Sequence, residues 1–113
     1  MDKVTRFLES CRKKGLCIES GGIYNFAPFD RGDYSDGMVE LSVSPNELKI
    51  TIVASFPVWE LTGDNEYLND VLVHEQQKVL PSISALAIEL YMRICLYDEH
   101  KFIPRDCLAL LIG

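Results

Sequence analysis

The stretch from Met38 to Trp59, "MVELSVSPNELKITIVASFPVW", constrains the fold more than any other part of the chain. Val39, Leu41 and Val43 alternate with Glu40 and Ser42. Beyond Ser44-Pro45-Asn46-Glu47, residues Leu48, Ile50, Ile52, Ala54 and Phe56 alternate with Lys49, Thr51 and Ser55. Successive side chains leave a strand on opposite faces, so this spacing makes one apolar face and one mostly polar face. Pro45 stands where a type I turn favours proline. The segment predicts two antiparallel strands covered on one side. Pro57 stops the second, because it has no N–H to give to a ladder.

A sheet with one apolar face requires a cover, and helical spacing on either side supplies it. Val4, Phe7, Leu8 and Cys11 recur at helical intervals, with Gly15 as a stop and Arg12, Lys13 and Lys14 in the last turn. A first helix is predicted over about residues 2–14. In "LCIESGGIYNFAPF" two short apolar runs flank Ser20-Gly21-Gly22, which reads as a hairpin turn. Pro28 ends the second run or places it at an edge. "DRGDYSDG" (30–37) reads as a loop by composition. "ELTGDNEYLNDV" leads into a second helix, capped by Asp64 or Asn65 and running to Leu80. Pro81 breaks or kinks that helix and opens a third, which extends to about Tyr97. "DEHK" is a turn, and Pro104 starts a short last helix through Leu111.

The expected architecture is one α+β domain over residues 1–113. It has an N-terminal helix, a three- or four-stranded antiparallel sheet, and two to three C-terminal helices packed on one face. At 48% hydrophobic residues the chain can fill one such core. No apolar run approaches the roughly 20 residues of a spanning helix, so no membrane partner is expected. The charged, amphipathic start lacks the apolar centre of a secretory signal, which points to a cytoplasmic protein.

Charge is distributed unevenly. The net charge is -6, yet residues 1–14 hold five cations against two acids. From Glu19 to Glu75 there are eleven acidic residues, opposed by Arg31 and Lys49 alone. Such a field repels phosphate backbones and draws in basic surfaces, so a basic protein partner is expected and nucleic acid is not. The proposed contacts are Asp30, Asp33, Asp36, Glu40, Glu60, Asp64, Glu66 and Glu75.

No motif for catalysis or for a cofactor stands out. "VHEQQKVL" (73–80) begins like the zinc-protease helix H-E-x-x-H, but Lys78 stands where the second histidine belongs, and an ammonium is a poor ligand. On a helix, Glu75 would fall inside the stripe of Leu68, Val71, Leu72 and Val79, at the rim of the core. There it would pair with Lys78 at i+3 or with a partner's cation. The aspartates of 30–37 miss the register of a calcium loop, and Arg31-Gly32-Asp33 is too short to argue adhesion. Gly21-Gly22 lacks the lysine of a phosphate loop. Cys11, Cys17, Cys95 and Cys107 have no zinc spacing and read as free thiols, with a Cys11–Cys107 disulfide left open.

The helix "SISALAIELYMRICLY" (82–97) is apolar on two sides. Ile83, Leu86, Ala87, Leu90, Ile94 and Tyr97 form one stripe. Ala85, Ile88, Met92, Cys95 and Leu96 form a second, with Glu89 and Arg93 as a polar seam. One side packs on the sheet; the other meets the C-terminal segment, the first helix or another chain. Ile88, Met92 and Leu96 are the expected oligomer face, with a homodimer among its occupants. Helix, sheet and helices in this order occur among small adaptor, secretion-chaperone and immunity proteins, which is an analogy of fold and size. The leading expectation is a non-enzymatic acidic inhibitor or immunity protein that neutralises a basic partner such as a toxin. The alternative is a secretion-chaperone-like or obligate subunit protein that binds through the apolar helix face.

Overall fold

In the computed structural model, residues 2–31, 34–57, 71–98 and 102–112 are described. Helix α1 (Lys3–Lys13) is followed by strands β1 (Ile18–Ser20), β2 (Ile23–Arg31), β3 (Tyr34–Ser44), β4 (Lys49–Pro57) and β5 (Val71–Val79), then helices α2 (Ile83–Asp98) and α3 (Arg105–Ile112). The five strands form one antiparallel sheet in the order β1-β2-β3-β4-β5. The fold is the expected α+β arrangement with a larger sheet.

Local chemistry explains most boundaries. Asp2 caps α1 by accepting from the Thr5 amide at 2.8 Å. Gly21 and Gly22, at φ 61° and 83°, make the tight β1–β2 turn, whose two left-handed positions glycine adopts without steric cost. At the β3–β4 turn the Leu48 amide donates to the Pro45 carbonyl at 3.3 Å. Leu48 takes φ 53° without being glycine. The Leu80 amide donates to its carbonyl at 2.8 Å, and its side chain packs on the core, so tertiary contacts hold that conformation. The turn thus ends one residue later than its composition implies.

The alternation of β3 and β4 sorts the sheet into two faces. The register aligns Tyr24, Val43, Ile50 and Lys78 in one row across β2 to β5. The next rows are Phe26, Leu41, Ile52 and Gln76, then Phe29, Val39, Ala54 and His74. The first three members of each row, Ala54 apart, are buried beneath the helices. Phe7 of α1 stacks on Phe26, and Phe26 on Phe29, at centroid separations of 6.2 and 6.3 Å. Val4, Phe7, Leu8 and Cys11 from α1 join Leu86, Leu90 and Ile94 from α2 and Cys107, Leu108 and Leu111 from α3 in the same core.

Four sequence expectations are corrected. First, Pro28 does not end its strand. Phe26 pairs with Leu41 and Phe29 with Val39, so β2 spends one extra residue in a bulge around Pro28. A bulge tolerates the missing N–H, and it turns both Phe26 and Phe29 toward the core. Second, residues 30–37 are not simply a loop. The β2–β3 ladder continues through Asp30↔Met38 and Arg31↔Tyr34, which puts Asp30 and Asp36 in strands. Third, residues 71–79 are not helical. They pair with β4 in nine consecutive positions, from Lys49↔Val79 to Pro57↔Val71. Fourth, Pro81 precedes α2 instead of starting it. The Ser82 hydroxyl accepts from the Ala85 amide at 3.1 Å and caps the helix.

The end of α2 has a device that "DEHK" did not reveal. Asp98 is 1% exposed, and its carboxylate oxygens accept from the amides of Phe102 and Ile103 at 2.9 and 3.0 Å. These bonds set the chain's exit toward α3.

Phe26 sits at the centre of the aromatic stack, so Phe26→Ala should cost about 3–5 kcal/mol of unfolding free energy. Urea unfolding followed by circular dichroism would measure it. Substituting exposed Ile18 in the same way should change stability by no more than about 0.5 kcal/mol.

Candidate functional site

Two surfaces gather the residues singled out by the sequence. The first is the outer side of α2. Ile88, Met92 and Leu96 are 63%, 59% and 62% exposed, while Leu86, Leu90 and Ile94 on the opposite side are buried. At 100° per residue, Ser84, Ala85, Ile88, Tyr91, Met92, Cys95 and Leu96 share one arc, and none of them carries a charge. Next to it, Tyr91 meets Arg105, Leu108, Ala109 and Ile112 of α3 around a shallow depression. Ile112 is itself 62% exposed. Helices α1 and α3 pack against one another and against α2, and α3 reaches the arc at its Tyr91 edge, but Ile88, Met92 and Leu96 stay exposed.

A polar seam borders the arc. Glu89 accepts from Arg93 Nε at 3.0 Å and pairs with Lys78 Nζ of β5 at 3.3 Å. Burial alone pushes the Glu89 carboxyl up, but the hydrogen bonds and charges of Arg93 and Lys78 outweigh it and hold it below the ordinary glutamate range. The expected Glu89–Arg93 pair is present. The expected Lys78–Glu75 pair is not, because the two side chains leave the strand on opposite faces. Lys78 lies on the helix side of the sheet and Glu75 on the other.

The second surface is the outer face of the sheet. Glu40 pairs with Val53, and Val53 with Glu75, which sets both carboxylates on one row, two strand spacings or about 10 Å apart. Both residues are exposed. The neighbouring row is Met38, Ser55 and Val73, and the backbone register sets Asp30 opposite Met38. Glu75 accepts from Gln77 Nε2 at 2.8 Å. It is therefore not a carboxylate at the rim of the core. His74 and Glu75 lie on opposite faces of a strand, so the zinc-helix geometry does not arise. Asp33, Glu60, Asp64 and Glu66 lie outside the described residues, as does the expected N-cap at Asp64 or Asn65.

The thiols are placed for packing. Cys11, Cys17 and Cys107 are buried, and all four cysteines are free, so the Cys11–Cys107 disulfide is not formed. Ser10 Oγ lies 3.3 Å from Cys107 Sγ, and Cys17 donates to the Leu8 carbonyl at 3.8 Å. Burial pushes the Cys11 thiol far up and Cys17 to about 11, which works against a thiolate nucleophile at neutral pH. At the α1–β2 contact, Tyr24 donates to Glu9 Oε1 at 2.6 Å, and this bond, with burial, raises the phenol to about 12. Among the described residues, no helix is long and apolar enough to cross a membrane.

Glu89 provides a test of the seam. A carboxyl held below its unfolded value stabilises the fold above that value and loses the contribution as pH falls through its folded pKa. The Glu89→Gln variant should be less stable than wild type at neutral pH and should converge on it below about pH 4. Urea unfolding across that range would show the convergence. In thiol alkylation followed by mass spectrometry, partly exposed Cys95 should label first, while Cys11, Cys17 and Cys107 should wait for unfolding. No family model matches the chain, and no curated protein or solved structure matches it either.

Proposed function

We propose that this protein is a non-enzymatic protein-binding module that docks an apolar segment of its partner on the outer side of α2, as an obligate subunit or a secretion chaperone does. The observation that carries this reading is the charge-free arc centred on Ile88, Met92 and Leu96, each about three-fifths exposed. A surface helix ordinarily turns charged residues outward. An exposed contiguous apolar strip is instead characteristic of a surface that another chain covers. Met92 suits such a role, since its flexible thioether adapts to irregular partners.

A second reading keeps the acidic field at the centre. In it the protein is a small inhibitor of the immunity type, which neutralises a basic partner such as a toxin. Glu40 and Glu75 favour it by sharing the outer face of the sheet, where Lys49 is the one cation among the described residues of that face. Such a surface steers a basic protein to itself and weakens with salt.

The two readings separate in one experiment. The partner is isolated from the native host by pull-down, and its affinity is then measured with purified proteins. Ile88→Lys with Met92→Lys should lower affinity at least about tenfold, because two cations are forced against an apolar partner. The melting temperature should stay within a few degrees of wild type, since both sites are exposed. Raising ionic strength should have little effect. Insensitivity to the double lysine variant, combined with loss of binding in Glu40→Lys/Glu75→Lys or at high salt, would replace the first reading with the second.

A further inference from the structure

Among the described residues β5 forms a rim of the sheet, and its side chains from Val73 to Val79 are exposed on both faces. Its ladder with β4 runs through nine consecutive pairs without a bulge, and no proline falls within 71–79. Bulges, prolines, short length and charged side chains are the usual devices that stop a rim from pairing with another strand, and of these β5 has only the charges. Three charged or ionisable residues, His74, Glu75 and Lys78, are spread along this one, so the composition of the strand selects what can pair with it.

The segment Val73-His74-Glu75-Gln76-Gln77-Lys78-Val79 is close to a palindrome about Gln76. We propose that β5 pairs antiparallel with β5 of a second copy of this chain, across a twofold axis at Gln76, so that two five-stranded sheets become one. In this register Val73 stands opposite Val79 of the other copy, and Glu75 opposite Gln77, each twice by symmetry. On the helix side Gln76 meets its own equivalent, amide to amide. His74 stands opposite Lys78, whose ammonium is already drawn to Glu89 of α2 at 3.3 Å. Opposed residues share a face in an antiparallel pair, so apolar matches apolar and a carboxylate matches an amide donor.

The neighbouring registers fail on the same criterion. Shifted one way, Glu75 faces Glu75 across the axis, and like charges directly opposite are destabilising. Shifted the other way, Glu75 faces Val79. The Gln76-centred pairing avoids both conflicts, and its symmetry closes at two copies instead of extending into a fibre. It uses the rim and leaves the outer side of α2 untouched, so each dimer would carry two copies of the partner surface. The inference therefore stands apart from the functional reading.

Sedimentation equilibrium of the full chain over a range of concentrations tests it. The wild type should show a monomer–dimer equilibrium. Gln77→Glu should place one carboxylate opposite Glu75 at each of two symmetric sites and raise the dissociation constant about tenfold. Adding Glu75→Lys should convert both sites to ion pairs and restore the constant to within about threefold of wild type. All three proteins should give the same far-UV circular dichroism. A single monomer mass for the wild type at every concentration overturns the proposal. So does a dimer indifferent to Gln77→Glu, or one dissolved by Met92→Lys, which would place the contact on α2.

Discussion

Everything in this molecule depends on covering one face of the β2–β3–β4 sheet. Its rows of Tyr24, Val43 and Ile50, then Phe26, Leu41 and Ile52, then Phe29 and Val39, carry the buried apolar side chains of the described strands. Helices α1 and α2 meet that area, α3 packs against both of them, and the Phe7–Phe26–Phe29 stack ties α1 to the sheet. Burial of apolar surface is the largest favourable term in folding, and here it acts on a single contiguous cluster. The bulge at Pro28 serves the same end, since it brings Phe29 onto the covered face beside Phe26.

The limits of that cover define the surfaces available to other molecules. α2 spends its inner stripe on the core and leaves Ile88, Met92 and Leu96 of its outer side exposed. β5 joins the sheet through its backbone, but its row positions on the helix side are Lys78, Gln76 and His74, which are exposed. The Lys78–Glu89–Arg93 chain of charges lies between these two features and fixes α2 against the end of β5. A hydrophobic helix face and a regular strand rim are thus displayed on one small scaffold.

Much of this is legible in the sequence, for physical reasons that differ by element. β3, β4 and α1 each have one buried face, so their periodicity records their structure directly. The Gly21-Gly22 turn was legible because its backbone requires positive φ. Residues 71–79 read as a helix in the sequence because neither face of 73–79 is buried, which removes the alternation that identifies a strand. The Glu75–Lys78 pairing fell with that reading, and Lys78 found its carboxylate on α2 instead. The role of Asp98 is not legible, because a buried carboxylate that binds two amides has the same sequence signature as an exposed turn acid. Of the acidic residues expected to meet a partner, Glu40 and Glu75 came together only through pairing across β4.

By itself, then, the sequence determined which residues of 39–43 and 50–54 face inward, where the first helix starts and stops, and that the helix of 83–98 is apolar on both sides. Those are local properties, set by side-chain spacing and by the dihedral needs of single residues. Tertiary structure alone decided which side of that helix is covered, that 71–79 completes the sheet as its rim, and which carboxylates share a face. These are decisions about pairing between segments distant in the chain. They turn on how far the helix layer reaches across the sheet, a quantity that no local pattern encodes.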